Sequence, residues 1–75
     1  RAEQVFVKTD LNELLENAKQ EQAQLIEEKK AIINNETLPE LEVVPFQIQQ
    51  LFSNLINNSI KYSKENIPPD INISN

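Results

Sequence analysis

Apolar residues recur along this chain with two different periods. Residues 4–8, QVFVK, alternate apolar and polar in a β-rich composition, which predicts a short strand. TDLNE follows, with Asp10 in the place of a helix N-cap and Glu13 three positions later, the spacing of a capping box. Leu11, Leu14, Leu15, Ala18, Leu25 and Ile26 then fall at helical spacing, so an amphipathic helix is expected from residue 11 to about residue 30. Glu, Gln and Lys fill its other face, the pattern of a solvated surface. AIINNE, residues 31–36, reads as a short β segment ending in turn residues, and residues 41–44 as another, after a bend at Pro39. Pro45 suits the first turn of a helix, where its missing N–H is no loss. A helical period then runs from residue 46 to about residue 63. SKENIPP reads as a loop, and DINIS alternates again as a closing strand. The order strand, helix, strand or hairpin, helix, strand predicts an α/β or α+β arrangement, a layer of helices on a sheet.

The second of these helices carries the chemistry. At about 100° per residue, Ile48, Leu51, Phe52, Leu55, Ile56 and Ile60, with Ser59 among them, form a broad apolar stripe that must face a sheet or another helix. Gln47, Gln50, Asn54, Asn58 and Lys61 occupy a narrow arc on the opposite side, where Asn54 and Asn58, four apart, stack one above the other. Asn57 lies toward the polar edge and Tyr62 between the faces. Any surface helix shows polar residues opposite an apolar stripe, but that leaves the choice of asparagine unexplained. In a helix interior each asparagine costs roughly half a kcal/mol or more relative to alanine, because its amide competes for backbone hydrogen bonds. The amide does supply a hard, neutral oxygen that can ligate Mg²⁺. A lysine three residues after Asn58 adds a point charge of the kind that binds phosphate.

Composition narrows the possibilities. A chain of 75 residues makes one small domain, burying only about 60% of its unfolded surface. With no cysteine and no histidine it has neither disulfides nor the usual zinc ligands, and no imidazole to serve as a general base or phosphoacceptor. Glycine is also absent, where about five would be average, although a complete nucleotide site needs glycine where backbone approaches phosphate. There is no methionine, so the chain is expected to be a piece of a larger protein. A net charge of −5 argues against nucleic acid as a partner. No apolar run approaches the roughly 18 residues of a membrane span, and no signal peptide is visible.

QIQQLFSNLINNSIKYS resembles the N-box of sensor histidine kinases, whose ATP-binding domain is shared in outline with DNA gyrase and related ATPases. VFVKTDLNELLENAKQEQAQLIEEKKAII looks like that family's first strand and helix, and LPELEVVPFQIQQLFSNLI like the turn, strand and helix entry that follow, so the resemblance covers essentially the whole chain. It implies a truncated Bergerat-type α+β two-layer sandwich, with residues 1–75 holding the first half of the ATP-binding domain. It also implies that Asn58 is the magnesium ligand, that Asn54 and Lys61 face the nucleotide phosphates, and that Tyr62 lies on the nucleotide side. Asn57, less constrained in the family, is expected to be an exposed polar residue. Ser59 is expected to pack as a small residue against the sheet, and Ser63 to supply a helix-end hydroxyl.

The ATP-hydrolysing relatives carry glutamate at the position of Asn54, where it activates water. An amide accepts no proton at neutral pH, so this version of the box favours phosphoryl transfer to a protein group. The implied activity is that of a protein-histidine kinase in a two-component system, using ATP and Mg²⁺ and passing the γ-phosphoryl group to a histidine outside this chain. The implied partners are a dimerisation and phosphoacceptor domain and a response regulator; the implied location is a cytoplasmic domain of an inner-membrane sensor. Val44 stands where many of these kinases have an aspartate before the proline, which weakens capping only. The glycine-rich boxes, the adenine-reading aspartate and the ATP lid follow the N-box in the family and are not in these residues, so the chain alone is expected to be inactive and to form a homo-oligomer through uncovered strand edges. Two alternatives stand beside this reading. One is a non-catalytic helical interaction module built on residues 11–32, although Gln22 and Lys29 interrupt its heptad seam. The other is a degenerate pseudokinase that keeps the box as scaffold.

Overall fold

A computed structural model describes residues 5–63 and 68–74. The elements run β1 (Val7–Asp10), α1 (Leu11–Glu21), α2 (Ala23–Lys29), β2 (Ile32–Asn35), β3 (Glu40–Val43), α3 (Pro45–Lys61) and β4 (Asp70–Ile73). β1 pairs antiparallel with β3, Val7 opposite Val43 and Asp10 opposite Glu40. β2 pairs in parallel with β4, Ile32 opposite Asp70 and Asn35 opposite Ile73. The fold is therefore α+β, with two two-stranded sheets among the described residues. Most of the SKENIPP loop lies outside those residues, as does the start of the first expected strand, whose paired part is Val7–Asp10.

The hairpin allowed for residues 31–44 does not form. Asn12 accounts for this: its Nδ2 donates to the Leu38 carbonyl at 2.9 Å, and the Leu38 N–H donates to Asn12 Oδ1 at 2.8 Å. The Leu11 N–H also donates to the Pro39 carbonyl at 3.3 Å. The segment between β2 and β3 is thus held over the start of α1, which sends β3 to β1 and leaves β2 for β4. Asp10 is the N-cap of α1, but its carboxylate accepts from the Asn12 N–H at 2.9 Å rather than completing a box with Glu13.

The long helix expected over residues 11–30 is broken at Gln22, whose φ of −103° and ψ of 14° are not helical. The Gln22 N–H closes α1 on the carbonyls of Ala18 and Lys19, and α2 begins without a side-chain cap. α2 ends in a Schellman motif: the Lys30 N–H donates to the Glu27 carbonyl and the Ala31 N–H to the Ile26 carbonyl. Lys30 takes the left-handed position, φ 53° and ψ 40°, where glycine is usual. A side chain there costs about 1 kcal/mol.

The core lies between α1, α3 and the β2–β4 pair. Leu15, Ala18, Leu38, Ile56, Ile60, Ile71 and Ile73 make one buried cluster, with Leu11, Leu25, Ile26, Ala31, Ile33 and Phe52 packed against it. Each such large side chain contributes about 1.5–3 kcal/mol when fully buried. The β1–β3 ribbon stands outside this cluster. One of its faces carries Lys8, Asp10, Glu40 and Glu42, and the other leaves Val7 and Leu41 about half exposed. Among the described residues no helix is long and apolar enough to cross a membrane.

Candidate functional site

α3 begins at Pro45, the N1 position, after a Val44 that gives no side-chain cap. The Gln47 N–H finds the Val44 carbonyl at 3.0 Å, so the first turn is closed by backbone alone. The buried side of the helix is turned from the one the apolar stripe predicts. Ile56 and Ile60 are buried and Phe52 is half-buried, but Leu51 and Leu55 are 59% and 46% exposed, and Ser53 takes their place inside. The reason is α1, which packs along the Ser53 side of α3, while the side bearing Leu51 and Leu55 is uncovered among the described residues.

The outer side carries Gln47, Gln50, Asn54, Asn58 and Lys61, all exposed. Asn54 and Asn58 are one helical turn apart on this face, and neither side chain makes a hydrogen bond among the described residues. The backbone beneath them is intact, with the Tyr62 N–H donating to the Asn58 carbonyl at 3.1 Å. Lys61 has no carboxylate partner among the described residues; its Nζ lies 5.8 Å from the centroid of the Tyr62 ring, which is 77% exposed. Ser63 closes the helix end, its hydroxyl donating to the Ile60 carbonyl at 2.7 Å.

Asn57 differs from the expectation of an exposed polar residue. It is half-buried, and its Nδ2 donates to Gln22 Oε1 at 3.2 Å. Gln22 Nε2 in turn donates to the Ser53 hydroxyl at 2.7 Å. The amide of Gln22 thus bridges the break between α1 and α2 to two residues of α3. The sequence held a signal for this contact, a polar residue at a position of the first helix where the apolar repeat asks for a hydrophobe. Asn12, the other structural amide, carried no such signal.

Four side chains therefore lie along one accessible face of α3: two neutral amide oxygens, an ammonium and a phenol. No group of three or more Asp, Glu, His or Cys gathers as a metal site among the described residues. This donor set suits Mg²⁺ shared with a polyphosphate, where the protein supplies one or two oxygens and phosphate and water complete the octahedron. No protein-family model and no curated protein matches this chain. Its functional reading rests on the chemistry of α3.

Proposed function

We propose that the outer face of α3 is the magnesium–phosphate wall of a histidine-kinase-type ATP-binding domain. In this reading Asn58 holds the metal, Asn54 and Lys61 face the phosphates, and Tyr62 flanks the nucleotide. One observation carries it. Of three asparagines in five positions, Asn57 is committed to an internal bond, whereas Asn54 and Asn58 gain nothing inside the described residues for the helix stability they cost. A ligand on the outer face is what would compensate them.

Mg²⁺ bound to ATP would neutralise phosphate charge and orient the γ-phosphoryl group; the acceptor histidine lies outside these residues. The chain's own part is to position: an exposed amide column on a helix anchored by Ile56 and Ile60, and a lysine beside it for charge. Asn54 supplies no general base, so transfer to a protein nitrogen fits better than hydrolysis. The interaction-module alternative would have to use two shorter helices, α1 and α2, because residues 11–32 do not form one helix.

The test is Asn58→Ala in the full-length protein that contains these residues. Autophosphorylation with Mg–ATP should fall by about tenfold or more, roughly 1.4 kcal/mol of transition-state stabilisation. The melting temperature without nucleotide should hold or rise slightly, since alanine is the better helix former. Full activity in the variant would take Asn58 out of the site.

A further inference from the structure

We propose that the cleft between the end of α1 and the first half of α3 receives the guanidinium of an arginine presented by a partner protein. The cleft has a volume of about 160 Å³ and is lined by Glu21, Phe46, Gln49, Gln50, Ser53 and Asn54. Its lining offers oxygen acceptors, a single negative charge and an aromatic ring, and no cationic side chain.

Two of the acceptors are already fixed by internal bonds. Gln49 Oε1 accepts from Asn17 Nδ2 at 3.2 Å, and the Ser53 hydroxyl accepts from Gln22 Nε2 at 2.7 Å. The remaining three, Glu21, Gln50 and Asn54, are exposed and make no side-chain hydrogen bond or ion pair among the described residues. Phe46 leaves 73% of its surface in solvent beside them. An exposed ring alone is ordinary on a protein surface. A ring next to an unpaired carboxylate and free amide oxygens matches a guanidinium, which stacks on an aromatic face while its forked N–H groups reach a carboxylate.

Other ligands fit less well. One carboxylate is too few for a protein-held divalent cation, and Glu21 repels phosphate. An ammonium would lack both the stacking plane and the bidentate fork. The chain's net charge of −5 favours a basic partner at long range. Glu21, Phe46 and Gln50, which carry the chemistry of the cleft, have no part in the nucleotide reading; Asn54 alone is common to both. Lys61 lies seven residues beyond Asn54, roughly 10 Å along the helix, so the two ends of the asparagine column carry opposite charge.

The experiment is a titration of the isotope-labelled chain with N-acetyl-arginine amide, with N-acetyl-lysine amide as the ammonium control, followed by backbone amide shifts. Saturable shifts should be confined to the cleft, around Glu21, Phe46, Gln50 and Asn54, with the arginine probe binding about threefold or more tighter than the lysine probe. Glu21→Gln and Phe46→Ala, both at exposed positions, should each weaken it about three- to fivefold, and Asn58→Ala should leave it unchanged. Non-saturable or scattered shifts, an equal response to the lysine probe, or indifference to Glu21→Gln would each overturn the assignment.

Discussion

Asn57 and Asn58 are neighbours in sequence and belong to different parts of the molecule. Asn57 points into the seam with α1 and is held by Gln22; Asn58 stands on the outer face without an internal partner among the described residues. The same division runs the length of α3. Its inner side, Ser53, Ile56, Asn57 and Ile60, is accounted for by packing and hydrogen bonds, and its outer side, Gln50, Asn54, Asn58 and Lys61, is not. A residue type is therefore no guide to role by itself. What separates the two asparagines here is whether the amide has a partner among the described residues.

The largest expected effect tests the apolar version of this division. Ile56 is fully buried, so Ile56→Ala should lose about 3–4 kcal/mol. That is most of the stability a single core of this size supplies, about 3–5 kcal/mol. Leu55, its neighbour, is 46% exposed, and Leu55→Ala should lose about 1 kcal/mol or less. Urea unfolding of the two variants measures both. Equal losses would mean that Leu55 is covered, and that the outer side of α3 is smaller than described.

Asn12→Ala comes next. It removes the partners of both the N–H and the carbonyl of Leu38, and one donor to Asp10, at a part-buried site. A loss of about 2 kcal/mol is expected from groups left unpaired. Gln22→Leu follows with about 1–2 kcal/mol, because the Ser53 hydroxyl and the Asn57 amide both lose their partner. Denaturant midpoints check each, and a neutral Gln22→Leu would show that water replaces the bridge and that α3 is not held from this side.

These two amides also mark where the sequence stopped being legible. Element types were legible locally: the four strands and the second long helix lie within a few residues of their expected places, but alternation coincides with one-sided burial only in β4, where Ile71 and Ile73 are buried. Asp10 and Pro45 were readable as helix-start residues for the same local reason. The helix break at Gln22 was not, since the apolar spacing continues through Leu25 and Ile26; the side chain at the break is bonded to residues 31 and 35 positions away. Strand pairing was likewise decided at a distance, by Asn12 holding Leu38. On α3 the exposed column of Asn54, Asn58 and Lys61 was legible as an arc on a wheel. The inward turn of Asn57 was not, because the wheel does not say which helix lies alongside.

The smallest effect is the most discriminating, and it sets the two neighbouring asparagines against each other. Alanine is the better helix former by roughly half a kcal/mol at either position. At Asn58 nothing offsets that gain among the described residues, so Asn58→Ala should stabilise the chain by about 0.5 kcal/mol. At Asn57 the same gain is set against the bond to Gln22 Oε1, a part-buried contact with a net contribution of about 1 kcal/mol. Asn57→Ala should therefore destabilise by about 0.5 kcal/mol, and in a double-mutant cycle with Gln22→Ala the two losses should be coupled by about 0.5–1 kcal/mol. Chemical denaturation at several protein concentrations separates these values from any effect on self-association. If Asn58→Ala destabilises as Asn57→Ala does, the outer asparagine has an internal role after all. The reason for looking to a bound ligand to explain it then disappears.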